Sequence, residues 1–183
     1  MIRLFIALNV PENIKTQLID LRNSLAGMNY KWEEKEKLHL TLKFIGDLSE
    51  EKLNDFVNEL NFITTFPKLK CSIKNFGFFF WDSKPSILWA GFEIDELILH
   101  INNKLDLALE KFSIKKEIRK FNPHLTLLRI KNDPGNNFVN SFKNFTFKPI
   151  NFTADSISLY KSRLLPTGSK YFEIKNYKLK ELE

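Results

Sequence analysis

Strand-like and helix-like runs alternate along the whole chain with no composition break or flexible linker between them, and this alternation restricts the architecture most strongly. Arg3 to Leu8 is short, branched and aromatic, as a strand requires, and Pro11 follows where a first helical turn begins. Ile14, Leu18, Leu21 and Leu25 recur at helical spacing, with Gly27 placed to close the helix. Leu38 to Ile45 alternates as a strand. Asp47 followed by Glu50 resembles a capping box, opening a helix with apolar Leu53, Phe56, Val57 and Leu60. Lys68 to Phe80 and Ile87 to Phe92 read as strands joined across Asp82-Ser83-Lys84-Pro85. Leu97, Ile98, Ile101, Leu105 and Leu109 mark another helix, and Phe121 to Ile130 another strand. Lys131 to Asn137 reads as a loop, and Phe152 to Tyr160 and Tyr171 to Leu179 supply the last strands. Hairpin signals among the helices favour an α+β fold with mostly antiparallel pairing over a simple parallel sheet.

The composition excludes several classes. Hydrophobic residues make up 43% and charged residues 27% of 183 residues, the balance of a soluble globular chain long enough to bury a core. Cys71 is the only cysteine, so neither an intramolecular disulfide nor a thiolate zinc site can be assembled. No apolar run approaches a membrane span, and Ile2 to Leu8 lacks a signal-peptide layout, so the chain is expected in the cytoplasm. A net charge of +6 favours a polyanionic partner without identifying one.

One tetrapeptide occurs twice. His39-Leu40-Thr41-Leu42 and, 85 positions later, His124-Leu125-Thr126-Leu127 both lie in strand-like segments. Alternate side chains of a strand share a face, so each histidine points the same way as its threonine while the leucines enter the core. A single such motif is usually an ordinary half-buried pair. Here two of only three histidines occupy the same tetrapeptide; the third, His100, follows Leu97-Ile98-Leu99 on an expected helix and suits a surface or packing role.

Two imidazoles across a groove can divide the work of displacement at phosphorus. Each has an unperturbed pKa near ~6.5, so one can accept a proton from water while the other donates to the leaving oxygen. The threonine hydroxyls can hold the non-bridging oxygens between the rings, and no metal is required. Lys43 has the parity to share the face of His39 and Thr41 and to add positive charge there. Phe44, beside the motif, is a candidate for base stacking.

The paired tetrapeptides, with Lys37 to Gly46 and Asn122 to Arg129 around them, resemble the two-histidine phosphoesterases, most closely the RNA 2',3'-cyclic phosphodiesterases also called 2'-5' RNA ligases. The likeness extends from Leu4-Phe5-Ile6-Ala7-Leu8 and Pro11 to a tail of Leu159 to Ser162, Pro166, Gly168 and Tyr171. It implies a single two-lobed domain over residues 1–183, with two similar, mostly antiparallel sheets, flanking helices and pseudo-two-fold halves around a central cleft. It implies hydrolysis of RNA 2',3'-cyclic phosphate ends to 2'-phosphomonoesters without cofactor or metal, with 2'-5' ligation as a secondary reverse reaction; with no obligate protein partner evident, a monomer is expected. His39 becomes the proton donor and His124 the acceptor, with Thr41, Thr126 and Arg129 on the phosphate. In a regular strand Arg129 falls on the face opposite His124, so a bulge or the strand end must swing it round.

Two other classes compete. A non-catalytic RNA-binding module has no use for two titratable groups in matched positions, and a histidine-ligated metal hydrolase lacks carboxylates at ligand spacing on the motif strands.

Overall fold

The computed structural model describes residues 1–26, 29–93, 96–118, 120–166 and 168–181; the expected helix stop at Gly27 lies outside them. Eight strands form two four-stranded sheets in which every neighbouring pair is antiparallel. The first sheet, in the order β2-β1-β7-β8, comprises β1 (Ile2–Leu8), β2 (Leu40–Leu48), β7 (Ser156–Leu165) and β8 (Gly168–Lys178). The second, in the order β5-β4-β3-β6, comprises β3 (Leu69–Trp81), β4 (Lys84–Glu93), β5 (His124–Arg129) and β6 (Ile150–Ala154). Helices α1 (Glu12–Leu25), α2 (Leu53–Glu59), α3 (Glu96–Glu110) and α4 (Asn136–Lys143) complete the α+β fold. None is long and apolar enough to cross a membrane.

In both sheets the edge strand of the histidine motif pairs with the strand that precedes it across one long helix: β1-α1-β2 in the first, β4-α3-β5 in the second. The alternation read in the sequence therefore holds, and it recurs as a matched pair of units. Each sheet hides one face. Ile2, Leu4, Ile6 and Leu8 of β1 and Leu88, Ala90 and Phe92 of β4 are buried with Ile14 and Leu18 of α1 and Ile98, Ile101 and Leu105 of α3. The opposite faces carry Phe5, His39 and Thr41 on the first sheet and Phe79, His124 and Thr126 on the second, all lining one cleft.

Three local expectations change. Asp47 is not a cap: β2 runs through Leu48, and a short 3-10 turn, Glu50–Lys52, leads into α2 without a side-chain cap. The run Phe152 to Tyr160 is not one strand: Asp155 divides it into β6 and β7, which join different sheets. The loop expected from Lys131 to Asn137 is shorter, ending before α4 at Asn136, and α4's Phe138 and Phe142, one turn apart, bury against Phe76 and Phe78. The hairpin signal resolves to a two-residue turn, Asp82-Ser83, with φ of 48° and 60°, the left-handed pair that matches strand twist in a tight hairpin.

Candidate active site

The two motif strands are bulged at the same place. In β5, Thr126 pairs with Trp89 but Leu128 with Leu88, so Leu127 is an extra residue. In β2, Thr41 pairs with Ala7 but Lys43 with Ile6, so Leu42 is the extra residue. Each bulge lies directly after a motif threonine and reverses the parity of the residues that follow it, in β2 as far as a second bulge at Ile45.

This shift decides three positions. Arg129, opposite Ile87, turns to the face of His124 and Thr126 and lines the cleft, where its Nε lies 3.1 Å from Oε1 of Glu33. Phe44, its counterpart five residues after the other histidine, turns to the cleft face opposite Phe5 and is 67% exposed. Lys43 moves the other way, off the strand face of His39, although it and Asp106 still border the cleft. It lies opposite Ile6, is only 3% exposed, and is ion-paired and hydrogen-bonded to the equally buried Asp106 of α3. Its charge is thus committed to a contact between β2 and the helix behind the second sheet.

The cleft has a volume of about 700 Å³ and is lined by both His-x-Thr units, Arg129 and Phe44. The His39 ring lies just before β2 and stacks on Phe5, with ring centres 5.0 Å apart at 24°; Tyr160 and Tyr171 flank the same rings. This aromatic wall was not read from the sequence, because Phe5 looked like any strand aromatic and Tyr160 and Tyr171 are remote in the chain. His124 stands edge-on to Phe79 at 4.8 Å. Its Nδ1 is 2.7 Å from the carbonyl oxygen of Asn122. A carbonyl only accepts, so Nδ1 carries the hydrogen and Nε2 of the neutral ring is left with its lone pair. His100 meets Phe66 at 5.7 Å and is not among the residues of the cleft.

Both histidines are held below the ordinary imidazole range. Burial against the aromatic wall, aided by the positive charges of Lys15 and Arg129, pushes His39 down to about 4. Burial also lowers His124, with Arg129 adding to the effect and the Asn122 carbonyl opposing it. A single guanidinium thus acts on both rings. Among the described residues, no group of three or more His, Cys, Asp or Glu side chains is placed to hold a metal ion.

A cleft between two antiparallel sheets, with a histidine and a threonine from matching bulged edge strands, defines a two-histidine phosphoesterase architecture. Residues 8–89 and 93–171 match the LigT-like phosphoesterase family. The RNA 2',3'-cyclic phosphodiesterase of Methanocaldococcus jannaschii is 33% identical over 183 residues, covering 96% of this chain and 99% of that protein. The enzyme of the same name from Thermotoga maritima is 31% identical over 92% of this chain and 91% of its own length. Among solved structures, a Thermus thermophilus protein superposes with a TM-score of 0.80 at 23% identity, covering 99% of this chain and all of that one. Escherichia coli LigT complexed with 3'-AMP superposes with a TM-score of 0.77 at 23% identity over 98% and 99% of the two chains. The chain belongs to the LigT-like phosphoesterase family, and its enzyme class is that of the phosphodiester hydrolases.

Proposed function

We propose that the protein hydrolyses RNA 2',3'-cyclic phosphate ends to 2'-phosphomonoesters, with His39 as general acid and His124 as general base and without a metal ion. The observation that carries this reading is the pair of histidines on matching strands of one cleft, with His124 presenting a free Nε2 lone pair because Asn122 takes its other side. Water attacks phosphorus while passing a proton to His124 Nε2. The P–O3' bond breaks on the far side, and O3' takes the proton of His39. Thr41 and Thr126 donate to the non-bridging oxygens, Arg129 balances the charge that builds on them, and Phe44 offers the terminal base a ring to stack on.

Entry of an anionic phosphate favours the charged form of a neighbouring imidazole, so the substrate itself raises His39 into a range where it can hold a proton to donate. The same ring opening with an RNA 5'-hydroxyl in place of water, losing O3' in the same way, would form a 2'-5' bond and is the minor activity in water. RNA binding without chemistry is the competing reading.

The deciding experiment incubates the protein with an oligoribonucleotide ending in 2',3'-cyclic phosphate, in excess chelator, and identifies the terminal phosphate. Conversion to a 2'-phosphate is expected. Turnover that disappears in chelator and returns with a divalent ion contradicts the metal-free mechanism, and a 3'-phosphate product reverses the assigned leaving group.

A further inference from the structure

The two sheets differ in what they carry beyond the histidines. On the open face of the first sheet the polar groups are occupied with one another. The Tyr160 hydroxyl donates to Asn9 Oδ1 at 2.8 Å, and Asn9 Nδ2 donates to the hydroxyls of Ser156 and Ser158 at 3.0 and 2.7 Å. Ser158 in turn donates to Glu173 at 2.7 Å and accepts from Asn176 at 3.0 Å.

The first sheet confines its aromatic rings to the wall around His39, whereas on the second sheet they continue outward from the cleft. Trp89 lies on the central strand β4 directly between Thr126 of β5 and Gly77 of β3. A Cβ at Gly77 would meet its indole at 2.3 Å and one at Gly91 at 2.9 Å, so the ring lies down across two glycines and occupies the space their side chains would fill. Phe79 packs against Trp89, ring centres 5.5 Å apart, and against His124. Trp81, two residues further along β3 and therefore on the same face, is 78% exposed at the hairpin tip. Phe76 and Phe78, of the other parity, are buried against α4. The aromatic strip thus begins at the catalytic cleft and runs outward over an antiparallel sheet.

From this asymmetry we infer that the open face of the second sheet is a binding platform for single-stranded RNA, on which Trp89 and Trp81 stack the nucleotides preceding the cyclic phosphate end. The inference rests on the proposed action at RNA ends. Four-stranded antiparallel sheets with aromatic rings on their central strands suit splayed bases, because every base has a face to stack whatever its identity. The surrounding groups suit a polyanion. Lys84, paired with Trp81 at the hairpin tip, is exposed; at the opposite end of the sheet, Glu93 is ion-paired with Lys74 at 2.6 Å and exposed Asn151, Thr153 and Lys70 lie in its row and beyond. Phosphate bound at Thr126 directs the chain over Trp89, since these residues are cross-strand neighbours.

The platform makes the enzyme discriminate by substrate length. The measurement compares kcat/KM for a nucleoside 2',3'-cyclic monophosphate and for an octaribonucleotide with the same cyclic phosphate terminus, in the wild type, Trp81→Ala, Trp89→Ala and Trp89→Phe. Stacking contributes ~1–3 kcal/mol per base, so each alanine variant should lower the octamer-to-mononucleotide ratio by roughly 5- to 150-fold, while Trp89→Phe retains most of it. A parallel anisotropy titration with a labelled octaribonucleotide ending in a plain 3'-hydroxyl reads the platform without chemistry. If the wild type opens neither cyclic phosphate, the activity is misassigned, yet weaker octamer binding in Trp81→Ala and Trp89→Ala still supports the platform. An unchanged ratio and unchanged octamer binding in Trp81→Ala, whose exposed side chain leaves the fold intact, overturns it, as does equal loss on both substrates in Trp89→Ala.

Discussion

At the scale of single residues, the site is a problem of proton placement. His39 is buried in a wall of Phe5, Tyr160 and Tyr171 and is held at about 4, so in the empty cleft near neutral pH it is almost entirely uncharged. The proposed acid is therefore made by the substrate's negative charge. This has a measurable sign. Activity needs one charged and one neutral ring, and both are lowered in the free protein, so kcat/KM should peak on the acid side of the usual imidazole pKa of ~6.5. Bound phosphate raises both rings, so the kcat profile should be displaced to higher pH than the kcat/KM profile, with the two limbs belonging to the pair as a whole. Coincident profiles would mean that the anion does not tune the histidines. Replacing Arg129, whose charge depresses both rings, removes part of that depression as well as the proposed phosphate contact.

At the scale of elements, the bulges carry the design. The repeated His-x-Thr unit was legible because strand parity puts a histidine and threonine on one face whatever the rest of the fold does. The strands and α1 to α3 were legible for similar reasons, from apolar period alone. The bulges at Leu42 and Leu127 were not, since an extra leucine in an apolar run leaves no mark in the sequence. Arg129 exposed the gap, because its expected role and its parity disagreed; Lys43, whose parity looked favourable, gave no such warning. The split at Asp155 escaped notice because both halves have strand composition and only pairing assigns them to different sheets.

The Lys43–Asp106 pair then acquires a definite cost of removal. Both side chains are buried, so Asp106→Ala strands a lysine charge among apolar groups and should destabilise the protein by ~3–5 kcal/mol in denaturant unfolding. The double replacement Lys43→Met with Asp106→Leu should recover most of that loss, because neither partner is then left charged and alone. A single-variant cost below ~1 kcal/mol would show that water reaches the pair.

At the scale of the whole molecule, two similar units, β1-α1-β2 and β4-α3-β5, place one motif each on opposite walls of one cleft. In-line displacement asks for that arrangement, since attacking and departing oxygens lie on opposite sides of phosphorus. The units are matched in their bulges but not in their outer surfaces, one closed by its own hydrogen bonds and the other faced with indole rings. The central claim is that the two histidines work together across the cleft. It is tested most directly by the rate of cyclic phosphate opening, in chelator, for His39→Ala, His124→Ala and the double variant. Each single change should cost on the order of a hundredfold or more, and the double change less than the product of the two, because groups that act as a unit are lost together. Near-normal activity in either single variant would contradict the account.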